Sequence, residues 1–323
     1  MKIKDPIYGE FEIKEPVLIE LINSKPVQRL KNIDQNGLPK EYTDFPRCNR
    51  YDHSIGVMLI LRKLGASVEE QIAGLLHDVA HTAFSHMIDW VIPNLNEDYH
   101  EKNHEKILMN SEIPGILKKY NFDINRIINV ENYSLLENKI PDLCADRVEY
   151  SIREFYLWAN PSKAKFCYSS LVNYNGKIIL SSMKAAEIFA KTYLKCQKEY
   201  WSGTENKVQY YLFAKILKIA LKEKIINTKD FYQDDNLIMK KLKESKNKNV
   251  EEIFSILKSP RFEEVETDPK IILTNKLRYV DPEFLENGEI YRLSEVNEDY
   301  KISIEELKES HKKGIKVNLL DEF

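Results

Sequence analysis

The spacing of apolar residues divides the chain into helical stretches and shorter extended ones. Between residues 7 and 17 the apolar positions alternate (Tyr8, Phe11, Ile13), with Gly9 and Pro16 as punctuation, and this predicts a short hairpin. Two short helices are expected next, over 18–23 and 27–33, with Pro26 at the start of the second. From Asp52 onward the period is helical. Ile55, Met58 and Leu59 form one stripe; Ile72, Leu75, Leu76 and Val79 form another at the i, i+3, i+4, i+7 spacing. Further helices are expected over 84–91, 100–109, 143–156, 185–200 and 209–221, and one internal strand over 177–181 after the turn signal Asn175-Gly176.

Beyond Lys224 the chain becomes richer in Lys, Glu and Asn, and the lysines of 240–248 are expected on a solvated helix end and loop. Pattern resumes in a helix over 250–257, a strand-like 270–273 and a hairpin around Asn287-Gly288. The prediction is a mostly α fold: a helical domain over residues 1–224 that begins with a short hairpin, and a small α+β appendage over 225–323. A chain of 323 residues, 43% of them hydrophobic, is long enough for that core.

Charge narrows the function little. Lys+Arg 48 against Asp+Glu 51 leaves a net charge of -3, so bulk charge gives nucleic-acid binding no support, and any anionic ligand needs a local cluster of cations or a metal. The four cysteines are widely spaced without a C-x-x-C pair, which argues against a disulfide framework and a thiolate zinc site. The N-terminus carries no apolar signal region and no segment reaches membrane-spanning length, so the expected location is the cytoplasm.

The histidines change the picture. Of seven, six fall between positions 53 and 104, and His77-Asp78 ends the apolar helical run 72–76. His53 stands at the head of the preceding helix, and Asp146 near the start of a later one. Three helices bringing two imidazoles and two carboxylates together would make a mixed nitrogen and oxygen site for Mn, Fe, Zn, Ni or Mg, with positions left open for a ligand. The alternative is a pair of hydrogen-bonded histidines at the core edge beside solvated carboxylates. The clustering weighs against it. His100 is expected on a solvated helix face, and His311 stands apart.

The ordered segments Arg50-Tyr51-Asp52-His53, Leu76-His77-Asp78-Val79-Ala80-His81-Thr82-Ala83-Phe84-Ser85-His86 and Ala145-Asp146-Arg147-Val148-Glu149-Tyr150 resemble the HD-domain phosphohydrolases. Within these the chain is most similar to the deoxynucleoside triphosphate triphosphohydrolases. The opening Asp5-Pro6-Ile7-Tyr8-Gly9 and the later Gln28-Arg29-Leu30 through Gln35-Asn36-Gly37 agree. The resemblance implies a homo-oligomeric, metal-dependent enzyme with His53, His77, Asp78 and Asp146 as metal ligands. It implies Arg50 on the α-phosphate and His81, His86 and His104 as phosphate-pocket histidines, one of them a general acid. It also implies Tyr150 and Glu154 on the deoxyribose, Gln35 against sugar and base, and Arg147 as a basic phosphate contact.

The segment 196–208 departs from that family: it keeps Lys198, Tyr200 and Lys207 but lacks the family's arginine, histidine and tyrosine pattern. The expected activity is hydrolysis of a deoxynucleoside triphosphate to deoxynucleoside and tripolyphosphate. The alternatives are a nucleoside monophosphate, cyclic nucleotide or single-stranded nucleic acid as substrate, or a non-catalytic nucleotide sensor.

Overall fold

The chain opens with a hairpin of β1 (Lys2–Asp5) and β2 (Gly9–Glu12), paired antiparallel with Lys2 opposite Glu12. These positions come from a computed structural model that describes residues 1–92, 98–274 and 276–320. The hairpin lies earlier than the 7–17 alternation predicts. Asp5 Oδ1 accepts the Ile7 and Tyr8 amides and closes the turn there, while Pro16 starts the next helix instead of ending a strand.

Helices α1 (Pro16–Ile22) and α2 (Lys25–Arg29) come next, the second running into a 3-10 turn at Leu30–Asn32. Both fall where the sequence places them. The central pair is α3 (Arg50–Lys63) and α4 (Val68–Leu76). Asn49 caps α3 by accepting the Asp52 amide, and Arg62 and Lys63 close its C-terminal turn, where cations suit the helix dipole. Ser67 caps α4 in the same way through the Glu70 amide.

Beyond them lie α5 (Met87–Val91), α6 (Tyr99–Met109), α7 (Ile113–Lys119) and α8 (Ile124–Ile128). The helix expected over 84–91 begins late because Phe84 and Ser85 hold left-handed backbone, with φ of 59° and 51°. Helix α9 (Ala145–Glu154) passes through a π turn at Phe155–Ala159 toward α10 (Pro161–Ser169), and α11 (Met183–Cys196) passes through another at Gln197–Trp201 toward α12 (Thr204–Lys222). Between α10 and α11 lie β3 (Leu171–Tyr174) and β4 (Lys177–Leu180), an antiparallel pair of which the sequence pattern shows only the second.

The C-terminal part of the chain holds α13 (Asp235–Glu244), α14 (Lys248–Leu257), β5 (Phe262–Glu264), β6 (Ile271–Leu273), β7 (Glu283–Glu286), β8 (Glu289–Arg292), α15 (Leu293–Val296), α16 (Glu298–Lys313) and β9 (Ile315–Leu319). Strand β7 joins β4 in parallel, giving a sheet of order β3-β4-β7-β8, and β9 sits between β5 and β6 in a second small sheet. The fold is mostly α with small β additions, as the pattern predicts.

Packing, however, does not part at residue 224. One core gathers α1, α3, α4, α9 and α11 together with Val280, Phe284, Tyr300 and Ile304 from the C-terminal stretch. The other is built from α5, α12, α13 and α14 around Phe84, Phe213 and Phe231. The C-terminal residues are shared between the two cores, so the sheet and both cores run across the expected boundary. No described helix is long and apolar enough to cross a membrane.

Candidate metal centre

Three helix ends meet on the first core. Arg50 and His53 are one turn apart at the start of α3, so they share a face. His77 ends α4, with Asp78 directly after it, and Asp146 lies in the first turn of α9. His53 Nε2 is 3.0 Å from Asp146 Oδ1, 3.3 Å from His77 Nε2 and 3.5 Å from Asp78 Oδ2. His77 Nε2 is 3.4 Å from Asp78 Oδ1 and 3.5 Å from Asp146 Oδ1. The structure therefore brings the four expected ligands together.

Each imidazole is fixed from behind. His53 Nδ1 sits 2.5 Å from Glu149 Oε2, and His77 Nδ1 donates to the Gly74 carbonyl at 2.7 Å. Both rings thus turn Nε2 toward the two carboxylates. Glu149 is itself held by Arg153 Nε at 2.6 Å and the Tyr8 hydroxyl at 3.1 Å, and Arg153 reaches on to Asp5 at 3.0 Å. The turn at Asp5–Gly9 is thereby tied to the ligand set. Glu149 lies against Gly56, where a Cβ would collide with Oε1, so α3 needs glycine at that place.

The donor set fits a divalent cation. Nitrogen and oxygen donors bound at ~2.0–2.2 Å lie about 3 Å from their neighbours around the ion, close to the spacing found here. The electrostatics agree. Burial works against charge on both rings, yet Glu149, Asp146 and Asp78 push the His53 imidazole up to about 10, and His77 is raised too, by Asp78 and Asp146. Burial likewise opposes ionisation of Asp146, but hydrogen bonds from His53 and His77 hold its carboxyl well below the usual range. A site that draws protons onto its imidazoles is one in which the carboxylates lack positive charge, and a metal ion supplies it.

Asp78 is gripped on its other side by Arg50 Nη1 at 2.7 Å and His81 Nε2 at 3.2 Å, and Arg50 Nε donates to Ser85 Oγ at 2.9 Å. Burial and the neighbouring Arg50 push the His81 imidazole well below its usual range, so it is neutral at pH 7. His81 lies 5.0 Å from His86, ring to ring, and His86 Nδ1 is 3.4 Å from Asp89.

His100 departs from the expected solvated face. Its ring stacks on His81 at 3.8 Å, and its Nδ1 has no hydrogen-bond partner among the described residues. His104, one turn further along α6, instead points its Nε2 at the Leu76 carbonyl, 3.1 Å away at the end of α4. The sequence offers a weak cue, since two histidines four apart on one helix can both lie near the site and only packing decides which ring enters it.

The remaining candidates lie further along α9 and beside it. Tyr150 shares a hydroxyl contact with Tyr193 at 3.0 Å and packs its ring against Trp201. Glu154 is buried, accepts from the Trp201 indole, and keeps Oε2 without a partner among the described residues. Burial pushes its carboxyl well above the ordinary range. Gln35 Oε1 accepts from the Cys48 thiol at 3.2 Å. Arg147 turns to the loop before α9, with Nη1 donating to the Asp142 carbonyl and Nη2 to that of Asn138 at 3.1 Å. Glu149, Ser85 and His100 are the site residues that sequence pattern does not pick out.

Comparison with known proteins agrees with this geometry. Residues 50–145 match the model of the HD domain. The chain is 38% identical to the uncharacterized protein YdhJ of Bacillus subtilis over 99% of both chains. It is 29% identical to the metal-dependent phosphohydrolase cns2 of Cordyceps militaris over 89% of this chain and 86% of that one. A more distant likeness, 27% identity over 68% of this chain and 36% of the other, is to the human deoxynucleoside triphosphate triphosphohydrolase SAMHD1. A phosphohydrolase from Bacteroides thetaiotaomicron shares the fold with a TM-score of 0.69 at 16% identity, over the full length of both chains. With the His/His/Asp/Asp set, its buried supports and these relatives together, the chain belongs to the HD-domain family of metal-dependent phosphohydrolases.

Proposed function

We propose that the protein hydrolyses deoxynucleoside triphosphates to deoxynucleoside and tripolyphosphate. The observation that carries this reading is the line of polar groups along α9. Asp146, Tyr150 and Glu154 repeat at i, i+4 and i+8, and a rise of ~1.5 Å per residue sets them about 6 and 12 Å along the helix from the ligand cluster. That span suits a nucleotide whose phosphates meet the cluster and whose sugar meets Tyr150 and Glu154. The activity in the name of the distant relative SAMHD1 supports the same substrate class.

His53, His77, Asp78 and Asp146 would hold the divalent ion, which when bound supplies Lewis acidity and an activated water. In the reaction a water oxygen bonds to the α-phosphorus, the bond from that phosphorus to the 5′ oxygen breaks, and the leaving oxygen takes a proton. Arg50, fixed by Asp78 and Ser85, offers a buried cation to the charge that builds on the phosphoryl oxygens. His86 is our choice for the proton donor: its side chain is 26% exposed, so a substrate can reach it, and Asp89 lies beside its Nδ1. The rings of His81 and His100 lie beside it, 5.0 and 5.2 Å from the His86 ring. Glu154, with one oxygen unpartnered among the described residues and burial favouring its protonated form, offers a hydrogen bond to a sugar hydroxyl beside Tyr150.

The test is to incubate metal-loaded protein with each deoxynucleoside triphosphate and separate the products by ion exchange. Tripolyphosphate and nucleoside in equal amounts support the reading. Release of pyrophosphate or orthophosphate, or cleavage confined to monophosphates, cyclic nucleotides or oligonucleotides, overturns it in favour of another phosphoester. Nucleotide binding without turnover under any divalent metal would favour a sensor.

A further inference from the structure

Residues 231–235 lie far outside the matched 50–145 span, yet they brace the histidine-bearing turn after α4. The Phe231 carbonyl accepts the Ala83 amide at 2.7 Å. The Gln233 carbonyl accepts Arg29 Nη1 at 2.8 Å, and that guanidinium also donates to the carbonyls of Val79 and His81 at 2.8 and 2.7 Å. Asp235 goes furthest. Its Oδ1 accepts the Phe84 amide at 2.7 Å and its Oδ2 accepts the Asp34 amide at 2.9 Å.

Those two amides belong to the pieces that hold Arg50. Ser85 Oγ accepts Arg50 Nε and donates to the Asp34 carbonyl at 2.5 Å. Phe84 and Ser85 sit in left-handed backbone that such side chains rarely adopt, so the turn depends on outside anchors. Gly37 presses on the same turn, since a Cβ there would stand 2.6 Å from the Phe84 carbonyl. Helix α13 does not need Asp235 for its own start, because Asp234 caps it by accepting the Leu237 amide at 3.0 Å.

We propose that Asp235 is a positioning residue: one carboxylate clamps the Phe84–Ser85 turn to residue 34 and thereby aims the Arg50 guanidinium at the phosphate. The proposal rests on the reading of Arg50 as the phosphate-binding cation. Two variants of the metal-loaded protein separate aim from general stability, Asp235→Asn and the cap variant Asp234→Ala. Amide exchange at Phe84 and Asp34, the Arg50 Nε–H nuclear magnetic resonance signal, affinity for inorganic tripolyphosphate, and kcat are read for both.

In Asp235→Asn the two amides should exchange faster, the Arg50 signal should shift or broaden, and tripolyphosphate affinity and kcat should each fall about tenfold with metal content unchanged. Asp234→Ala should lower the melting temperature and leave all four readings in place. A folded, metal-replete Asp235→Asn protein with wild-type Arg50 signal and tripolyphosphate affinity overturns the proposal. If that variant does not fold, Ser85→Ala tests the same link, and an unmoved Arg50 signal there overturns it equally. If wild-type protein cleaves no nucleotide, the substrate reading fails, while amide exchange and the Arg50 signal still decide whether Asp235 positions Arg50.

Discussion

His53 Nε2 and His77 Nε2 face each other across 3.3 Å, each ring pinned from behind through Nδ1. Two imidazole nitrogens at that distance share a proton or a cation, and four carboxylate and imidazole groups converge on the same point. Burial opposes charge on His53, but Glu149, Asp146 and Asp78 raise it to about 10, so the cation-free site holds its proton at neutral pH. Binding a divalent ion should therefore release about one proton per site and weaken as pH falls. Titration calorimetry in buffers of different ionisation enthalpy measures this release; a heat that does not vary with buffer would contradict it.

Glu149 supports the site without facing the ion. Its carboxylate orients His53 and is anchored by Arg153 and Tyr8, so Glu149→Gln should weaken metal affinity about 10–100-fold while the fold persists. Competition against a chelator of known affinity reads the change. Gly56→Ala drives a methyl into the same carboxylate and should cost about 1–3 kcal/mol in urea denaturation, along with metal affinity. A variant at Gly56 with wild-type stability would mean that Glu149 has room to move.

The two α6 histidines should separate cleanly by experiment. His104 directs Nε2 to the Leu76 carbonyl, so His104→Leu strands a buried carbonyl at the end of α4 and should cost about 1–3 kcal/mol of stability with little change in kcat. His100 stacks on His81, so His100→Ala should lower kcat without a comparable loss of stability. His86→Ala should lower kcat further, about 10²–10⁴-fold, with the loss confined to turnover rather than binding. Steady-state kinetics beside thermal melts distinguish these outcomes, and equal kcat losses at 100 and 104 would refute the assignment.

How much of the fold and the site is legible in the sequence depends on range. His53, His77, Asp78 and Asp146 sit at or near the ends of helices that the sequence predicts, so pattern places each on an element, and the family resemblance is what joins the four into one ligand set. Glu149 is readable in principle, three residues after Asp146 on the same face, but nothing local says that a buried carboxylate there points at His53. His100 and His104 share one helix, and the choice between them is made by the packing of α6 on the end of α4. The π turns at 155–159 and 197–201 add a residue to a helical turn and rotate the downstream helix, which hydrophobic period cannot register. The boundary expected at 224 reflects composition, whereas packing carries Phe284 and Tyr300 back into the first core. The contact between Asp235 and Phe84 spans 151 positions, and no motif announces it.

That distant contact also carries a pH signature. Burial pushes the Asp235 carboxyl up to about 7, against the two backbone amides and Arg47, with Asp34 adding to the rise. From the ordinary carboxylate range up to about 7 the folded chain keeps a proton that the unfolded chain has lost. The stability contributed by this group is thus full below the unfolded pKa and is lost as pH rises through the folded one. Activity should run the other way. Only the ionised carboxylate presents acceptors to both Phe84 and Asp34, so the clamp on Ser85 and Arg50 tightens as Asp235 ionises, and kcat should climb through pH 7. Asp235→Asn removes the titrating group, so urea stability and kcat measured between about pH 5 and 8 should both lose the inflection that this carboxyl contributes. Parallel wild-type and Asp235→Asn curves in both measurements would show that the group does not titrate in this range. Opposite slopes of stability and activity in the wild type alone would place the titration at the clamp and not at the metal ligands.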